Sequence, residues 1–224
     1  MTGIILQARM GSTRLPGKVM AMIGDKPLIG WIFYRMSFLK NGARLVVATT
    51  VKPEDDAIAG FCEKNGVDCF RGSEENVLER YYMCAKKYGF SDIVRLTADN
   101  PFVDVEELDR LVKLHKRTRS EYTHSFGELP VGAGAEIFTF EALEKSYRYA
   151  TKMNHFEHVN EYIQENPGLF KITALPVSPD KKRPDMRLTV DTEEDLGRVR
   201  FIAENAGDDY ITTELAIKLC SRFV

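Results

Sequence analysis

Arg9, Arg14 and Lys18 fall within one short stretch near the start of the chain, Gln7-Ala8-Arg9-Met10-Gly11-Ser12-Thr13-Arg14-Leu15-Pro16-Gly17-Lys18. The apolar run Ile4-Ile5-Leu6 leads directly into it. Three cations at this density balance several negative charges, as a triphosphate requires. Gly11 and Gly17 let backbone N–H groups approach oxygens closely. A buried strand that turns into a cationic, glycine-bearing loop is the layout of a phosphate site on an α/β sheet. It is not a P-loop. Five residues separate Gly11 from Gly17-Lys18 where a Walker A motif has four, and Val19 stands where a magnesium-holding hydroxyl belongs. Pro16 keeps the loop extended. The candidate nucleotide contacts here are Gln7, Ala8, Arg9, Gly11, Ser12, Thr13, Arg14 and Lys18. A basic surface turn is the plainer alternative.

Two carboxylates form a second constellation. Asp99 follows Asp92-Ile93-Val94-Arg95-Leu96-Thr97-Ala98, and Asp191 follows Met186-Arg187-Leu188-Thr189-Val190. Each stands where an apolar strand gives way to a turn. Converging at one sheet edge, they would suit magnesium, which takes carboxylates plus phosphate oxygens. Either alone also fits a turn or a helix N-cap. In Arg71-Gly72-Ser73-Glu74-Glu75-Asn76-Val77-Leu78-Glu79-Arg80, Ser73 can cap the helix expected next. Arg80 can meet a phosphate or pair within its own helix. Arg187, close to Asp191, can meet a substrate carboxylate. His155 and His158 are three apart and could share a helix face as zinc ligands, but no third ligand of suitable type stands nearby except Glu157 or Glu161.

The elements that must position these residues alternate. Strands are expected at the N-terminus, 44–50, 67–70 and 92–97. Helices are expected at 27–36, 54–65, 76–88 and 105–117. That rhythm calls for a doubly wound, largely parallel sheet, with ligands at the carboxyl ends of its strands. From Glu121 the rhythm changes. Short strands at 122–127 and 135–139, helices at 140–149 and 155–164 and a strand at 170–175 suggest a small inserted lid, about 121–174, that shapes the second substrate's pocket and carries a dimer contact. Residues 176–184, with Lys181-Lys182-Arg183, read as an exposed loop. Residues 186–190 are expected to return to the sheet before helices at 193–205 and 212–220.

Length and composition bound the rest. The 224 residues suit one α/β domain with a small appendage. The net charge of -2 draws the protein to neither nucleic acid nor an anionic membrane. With no apolar membrane-length run and no signal-like N-terminus, a cytoplasmic location is expected. Cys62, Cys69, Cys84 and Cys220 form no Cys-x-x-Cys pair and read as reduced thiols.

QARMGSTRLPGK resembles the signature loop of the cytidylyltransferases that make CMP-activated sugar acids, in particular the branch called spore coat polysaccharide biosynthesis protein F. RLTADNP and RLTVDTEEDL are similar to the family's two aspartate-bearing motifs. The 71–81, 134–138 and 155–162 segments also resemble that branch. Two departures stand out: many relatives carry Gly-Thr-x-Arg near 71–76, and most carry Arg where Phe156 stands. The resemblance implies a Rossmann-like nucleotide-diphospho-sugar transferase fold over one domain, 1–224. It implies transfer of CMP from CTP to a sugar acid with release of pyrophosphate, for polysaccharide or spore coat glycans.

In that reading Lys18, Arg9 and Arg14 act on the triphosphate, and Asp99 and Asp191 hold Mg2+. Arg71, Asn76, Arg80 and Thr97 join the nucleotide contacts, and Glu136, His158 and Arg187 meet the acceptor. A homodimer is expected. Other readings remain open: a sugar-phosphate or polyol-phosphate acceptor, a nucleotide-sugar-dependent glycosyltransferase, for which no Asp-x-Asp motif stands in the chain, or a nucleotide-sensing relative without turnover.

Overall fold

In the computed structural model, which describes residues 1–208 and 210–223, alternating side chains along each central strand divide the core between two faces. Strand β1 (Thr2–Gln7) sends Ile4 and Leu6 to one face and Ile5 to the other. A small ribbon follows, β2 (Met22–Ile23) against β3 (Lys26–Pro27), and leads into helix α1 (Leu28–Met36). Next come β4 (Arg44–Thr50), α2 (Asp56–Lys64), β5 (Asp68–Gly72), α3 (Val77–Tyr88), β6 (Asp92–Thr97) and α4 (Val105–Thr118). The helices α1, α2 and α4 cover the face of Ile4 and Leu6, and α3 covers the face of Ile5. This is the expected largely parallel α/β architecture.

The second half completes the same sheet. Its strands are β7 (Tyr122–His124), β8 (Glu136–Thr139) and β9 (Ile172–Ala174). Between β8 and β9 lie α5 (Phe140–Tyr149), α6 (Met153–Glu157) and α7 (Glu161–Glu165). Helices α8 (Glu193–Asn205) and α9 (Thr213–Cys220) close the chain on the α1 and α4 face. The seven strands run in the order β5-β4-β1-β6-β8-β7-β9. Only β8 runs against the rest, pairing antiparallel with both β6 and β7. The segment 121–174 therefore contributes three strands to the main sheet and lays α5 and α6 beside α3, with α7 against α5 and α6.

Three local expectations need correcting. Residues 186–190 form no strand of the sheet. Strand β6 already has β1 on one side and β8 on the other, so no free edge lies beside Asp99. Instead Val131 N–H donates to Met186 and Leu188 N–H donates to Val131, at 2.8 and 2.7 Å, while Val190 N–H reaches the Asp99 carbonyl at 2.9 Å. Secondly, the helix expected over 155–164 is broken. His158 takes an extended conformation, and buried Val159 and Asn160 turn inward between α6 and α7. Thirdly, Lys181 does not wave in solvent. It is buried against Asp104 at 3.1 Å and Glu106 at 2.9 Å, and thereby staples the 176–184 loop to the start of α4.

Candidate active site

Two cavities open at the carboxyl ends of the central strands and share a wall made of Arg95, Thr97, Asp99 and Asp191. The first, about 310 Å³, is bordered by Gln7, Ala8, Arg9, Ser12, Thr13, Arg14 and Lys18 from the β1 loop. Glu157 and His158 from the α6 break close it. The second, about 450 Å³, is bordered by Asn100, by residues between Ser125 and Gly134, and by Arg187 and Thr189.

The β1 loop is held by its own backbone and by one carboxylate. Ser12 and Gly17 N–H groups both donate to the Met10 carbonyl at 2.9 Å. Gly17 adopts the left-handed conformation (φ 73°) that lets the chain turn into the short 3-10 turn Lys18–Met20. Asp55, buried, accepts from Met10 N–H at 2.7 Å and from Thr50. Burial opposes the Asp55 charge, yet those hydrogen bonds hold its pKa below the ordinary value. Asp55 stands in Pro-Glu-Asp-Asp, an acid-rich helix start, and so gives no sequence signal of its role.

Lys18 is the centre of the site. Its ammonium lies 3.0 Å from Asp191 Oδ1, 3.1 Å from Asp99 Oδ2 and 2.7 Å from the Val190 carbonyl. The two aspartates therefore meet at one point, although they sit on distant parts of the chain. Asp191 also takes Arg14 on Oδ1 at 2.9 Å and Arg187 on Oδ2 at 3.0 Å. Burial disfavours its charge, but Lys18, Arg14 and Arg187 more than offset this and hold its pKa below the ordinary carboxylate value. Asp99 Oδ1 accepts from the Thr97 hydroxyl at 2.6 Å, which fixes its rotamer.

The expected contacts divide sharply. Gln7, Ala8, Arg9, Ser12, Thr13, Arg14, Lys18, Thr97 and Asp99 border the first cavity, whereas Gly11, Arg71, Asn76 and Arg80 do not. Arg71 is spent on the Thr50 and Lys52 carbonyls and on Asp56. Asn76 caps α3 by accepting from Glu79 N–H at 2.8 Å. Arg80 is wholly buried beneath Gly72, with Nη1 on the Ser73 carbonyl and Nε and Nη2 without partners; burial pulls its pKa down.

The acceptor contacts divide as well. Of the three expected, Arg187 borders the second cavity, His158 borders the first, and Glu136 borders neither. Glu136 has zero exposure and binds Arg95 and Tyr122. His155 turns its ring to Glu165. Among the described residues no three histidine, cysteine, aspartate or glutamate side chains gather as a metal site. Arg95, Asn100 and Thr189 border the second cavity without having been singled out in the sequence.

Comparison with known proteins places this geometry. The sequence model of the cytidylyltransferase family matches residues 3–219. The spore coat polysaccharide biosynthesis protein SpsF of Bacillus subtilis is 38% identical over 209 residues, 91% of this chain and 87% of that protein. A 3-deoxy-manno-octulosonate cytidylyltransferase of Leptospira biflexa is 34% identical over 119 residues, 52% of this chain and 47% of its own length. The structure of a cytidylyltransferase from Leptospira borgpetersenii superimposes with a TM-score of 0.92 at 34% identity, covering 99% of this chain and 94% of that one.

Proposed function

The chain belongs to the cytidylyltransferase family of CTP-dependent nucleotidyltransferases, and we propose that it moves CMP from CTP to a sugar acid and releases pyrophosphate. The observation that carries this reading is the pair of cavities joined at Asp99 and Asp191. One is lined by cations and suits a triphosphate; the other is lined largely by small and apolar residues and suits a sugar. The acceptor hydroxyl attacks the α-phosphorus across the shared wall and gives up its proton to water. The bond to the bridging α–β oxygen breaks, and pyrophosphate leaves with its electrons.

Catalysis in this reading is positioning and charge neutralisation. The loop from Arg9 to Lys18 grips the triphosphate, and Arg14 and Lys18 neutralise charge gathering on pyrophosphate. Asp99 and Asp191 suit a divalent cation, because both carboxylates and the Val190 carbonyl already converge on the Lys18 ammonium. Magnesium held there would polarise the α-phosphate and lower the pKa of the attacking hydroxyl. Lys18 would then give up the carboxylates and turn to the phosphates. The 121–174 segment supplies walls to both cavities and in this reading selects the acceptor. Its most exposed apolar side chains, Tyr149 and Met153, are open to a second copy of the chain in the homodimer we include in the reading. Dependence on CTP accords with a cytoplasmic reaction.

The test is pyrophosphate release from CTP, UTP, ATP and GTP. Each is paired with eight- and nine-carbon sugar acids, sugar 1-phosphates and polyol phosphates. Release with CTP and a sugar acid is expected. Release only with a phosphorylated acceptor would replace this reading with the sugar-phosphate one.

A further inference from the structure

An arginine in the middle of a central strand is unusual, and Arg95 is one. It lies on β6 on the face of Ile5 and Ile93, where apolar residues fill the layer against α3. Its neighbour in register on β8 is Glu136. The two form an ion pair, Nη1 to Oε1, at 2.7 Å. The other Glu136 oxygen accepts from the Tyr122 hydroxyl, and Asn160 donates to that hydroxyl at 3.4 Å. Arg95 is therefore held from behind by a buried chain of polar groups that ends at the break between α6 and α7. Such a chain limits side-chain freedom and orients the guanidinium before any ligand arrives.

Arg95 borders both cavities, and its Nε has no hydrogen-bond partner. The acceptor cavity has one other cation at its border, Arg187, and that one is tied to Asp191. Arg14 and Lys18 are also tied to Asp191. Arg95 is thus the cation of this wall whose counter-ion stands outside both cavities, so it can take a new anion without releasing the carboxylates at the centre. A planar guanidinium suits a planar carboxylate. With Asp99 and Asp191 on the same wall, a singly charged ligand fits better than a doubly charged phosphate.

We infer that Arg95 binds the carboxylate of the acceptor, and that Glu136 and Tyr122 are positioning residues acting through it. This rests on the sugar-acid reading above. Arg187, expected from the sequence to meet that carboxylate, instead steadies Asp191.

The experiment compares wild type with Arg95→Met, Arg95→Lys and Glu136→Gln, using saturating CTP. The probes are 3-deoxy-manno-octulosonate, N-acetylneuraminate and the carboxamide of whichever acid wild type turns over better. Wild type should prefer the acid over its amide by about 100-fold in kcat/KM, the scale of a charge-assisted contact. Arg95→Met should erase that preference and raise the acceptor KM by a similar factor. The stabilisation by CTP in a melting scan should stay unchanged.

Arg95→Lys, which keeps the charge and folds if the neutral variant does not, should lose about tenfold because it lacks the planar fork. Glu136→Gln should raise the acceptor KM by about tenfold with kcat nearly kept, a split that general loosening of the sheet would not produce. Preference for the acid persisting in both Arg95 variants would overturn the inference. So would equal weakening of CTP and acceptor, which would make Arg95 an α-phosphate contact. If wild type accepts no sugar acid but does accept a phosphorylated sugar, the failure belongs to the sugar-acid reading itself.

Discussion

The two cavities share a wall but are built in opposite ways. The first cavity, which the proposed function gives to the nucleotide, is mostly one run of chain: Gln7 to Lys18 supplies Arg9, Arg14 and Lys18 and folds back on the Met10 carbonyl. The second cavity, which the same reading gives to the acceptor, is gathered from β6, the 125–134 loop and the 187–191 connector, and much of its border is glycine and apolar residues. A triphosphate carries the same charges whatever it is attached to, so a local cluster of cations can recognise it. An acceptor differs by shape and by one or two groups, so its site depends on how distant segments meet. The comparison predicts that changes in the first cavity move nucleotide parameters, changes in the second move acceptor parameters, and changes at Asp99 and Asp191, where the two meet on Lys18, move both.

The largest effect is expected where the comparison must break down. Asp99→Asn and Asp191→Asn should each lower turnover by at least about 10³-fold, the scale of losing a central electrostatic contact. The double variant should be little worse than either single one, because both carboxylates serve one centre. Circular dichroism should show all three folded. Independent, multiplying losses would mean that the aspartates act separately.

Lys18→Met should come next, losing about 10²–10³-fold in turnover. It carries a sign that a merely structural residue would not. Without the ammonium, Asp99 and Asp191 lose their resident cation, so Mn2+ titrated without CTP should bind about tenfold tighter than to wild type. Electron paramagnetic resonance of free Mn2+ reads this directly, and unchanged affinity would show that lysine and metal do not compete.

The smallest effect tests the far edge of the nucleotide cavity. Glu165 clamps the two helices around the His158 break, taking Lys152 and His155 on Oε2 and Asn154 on Oε1. Lys152 first, then His155 and Asn154, hold its pKa at about 2, down from 4.5. A lowered folded-state pKa means the clamp is complete above about 4.5 and is lost as pH falls towards 2. Amide exchange in α6 and α7 should quicken over that window in wild type. In Glu165→Gln it should be fast already at neutral pH, and the KM for CTP should rise only about two- to threefold. A wild-type-like pH profile in the variant would detach Glu165 from the clamp.

The sequence by itself determined the parallel half of the fold and the cationic loop that follows β1. Both follow from short-range physics: alternating apolar residues make strands, helical spacing makes the covering helices, and neighbouring cations need no tertiary contact to be near one another. It also determined that Asp99 and Asp191 end apolar runs, but not that they meet. Only the tertiary structure brought them to one ammonium, because that requires the connector 186–190 to stay out of a sheet with no free edge beside β6. It placed Arg71, Asn76 and Arg80 outside the border of the first cavity, each bonded to backbone groups of its own neighbourhood. It buried Glu136 away from the border of either cavity as the ion-pair partner of Arg95, a residue that looked like any interruption of a strand. At Gly132, φ is 99° and an added Cβ would lie 2.7 Å from the Thr189 nitrogen; that glycine is spoken for by a partner 57 positions away. Long-range contacts of this kind leave no periodicity in the sequence, because the two partners constrain each other only after the chain between them has folded.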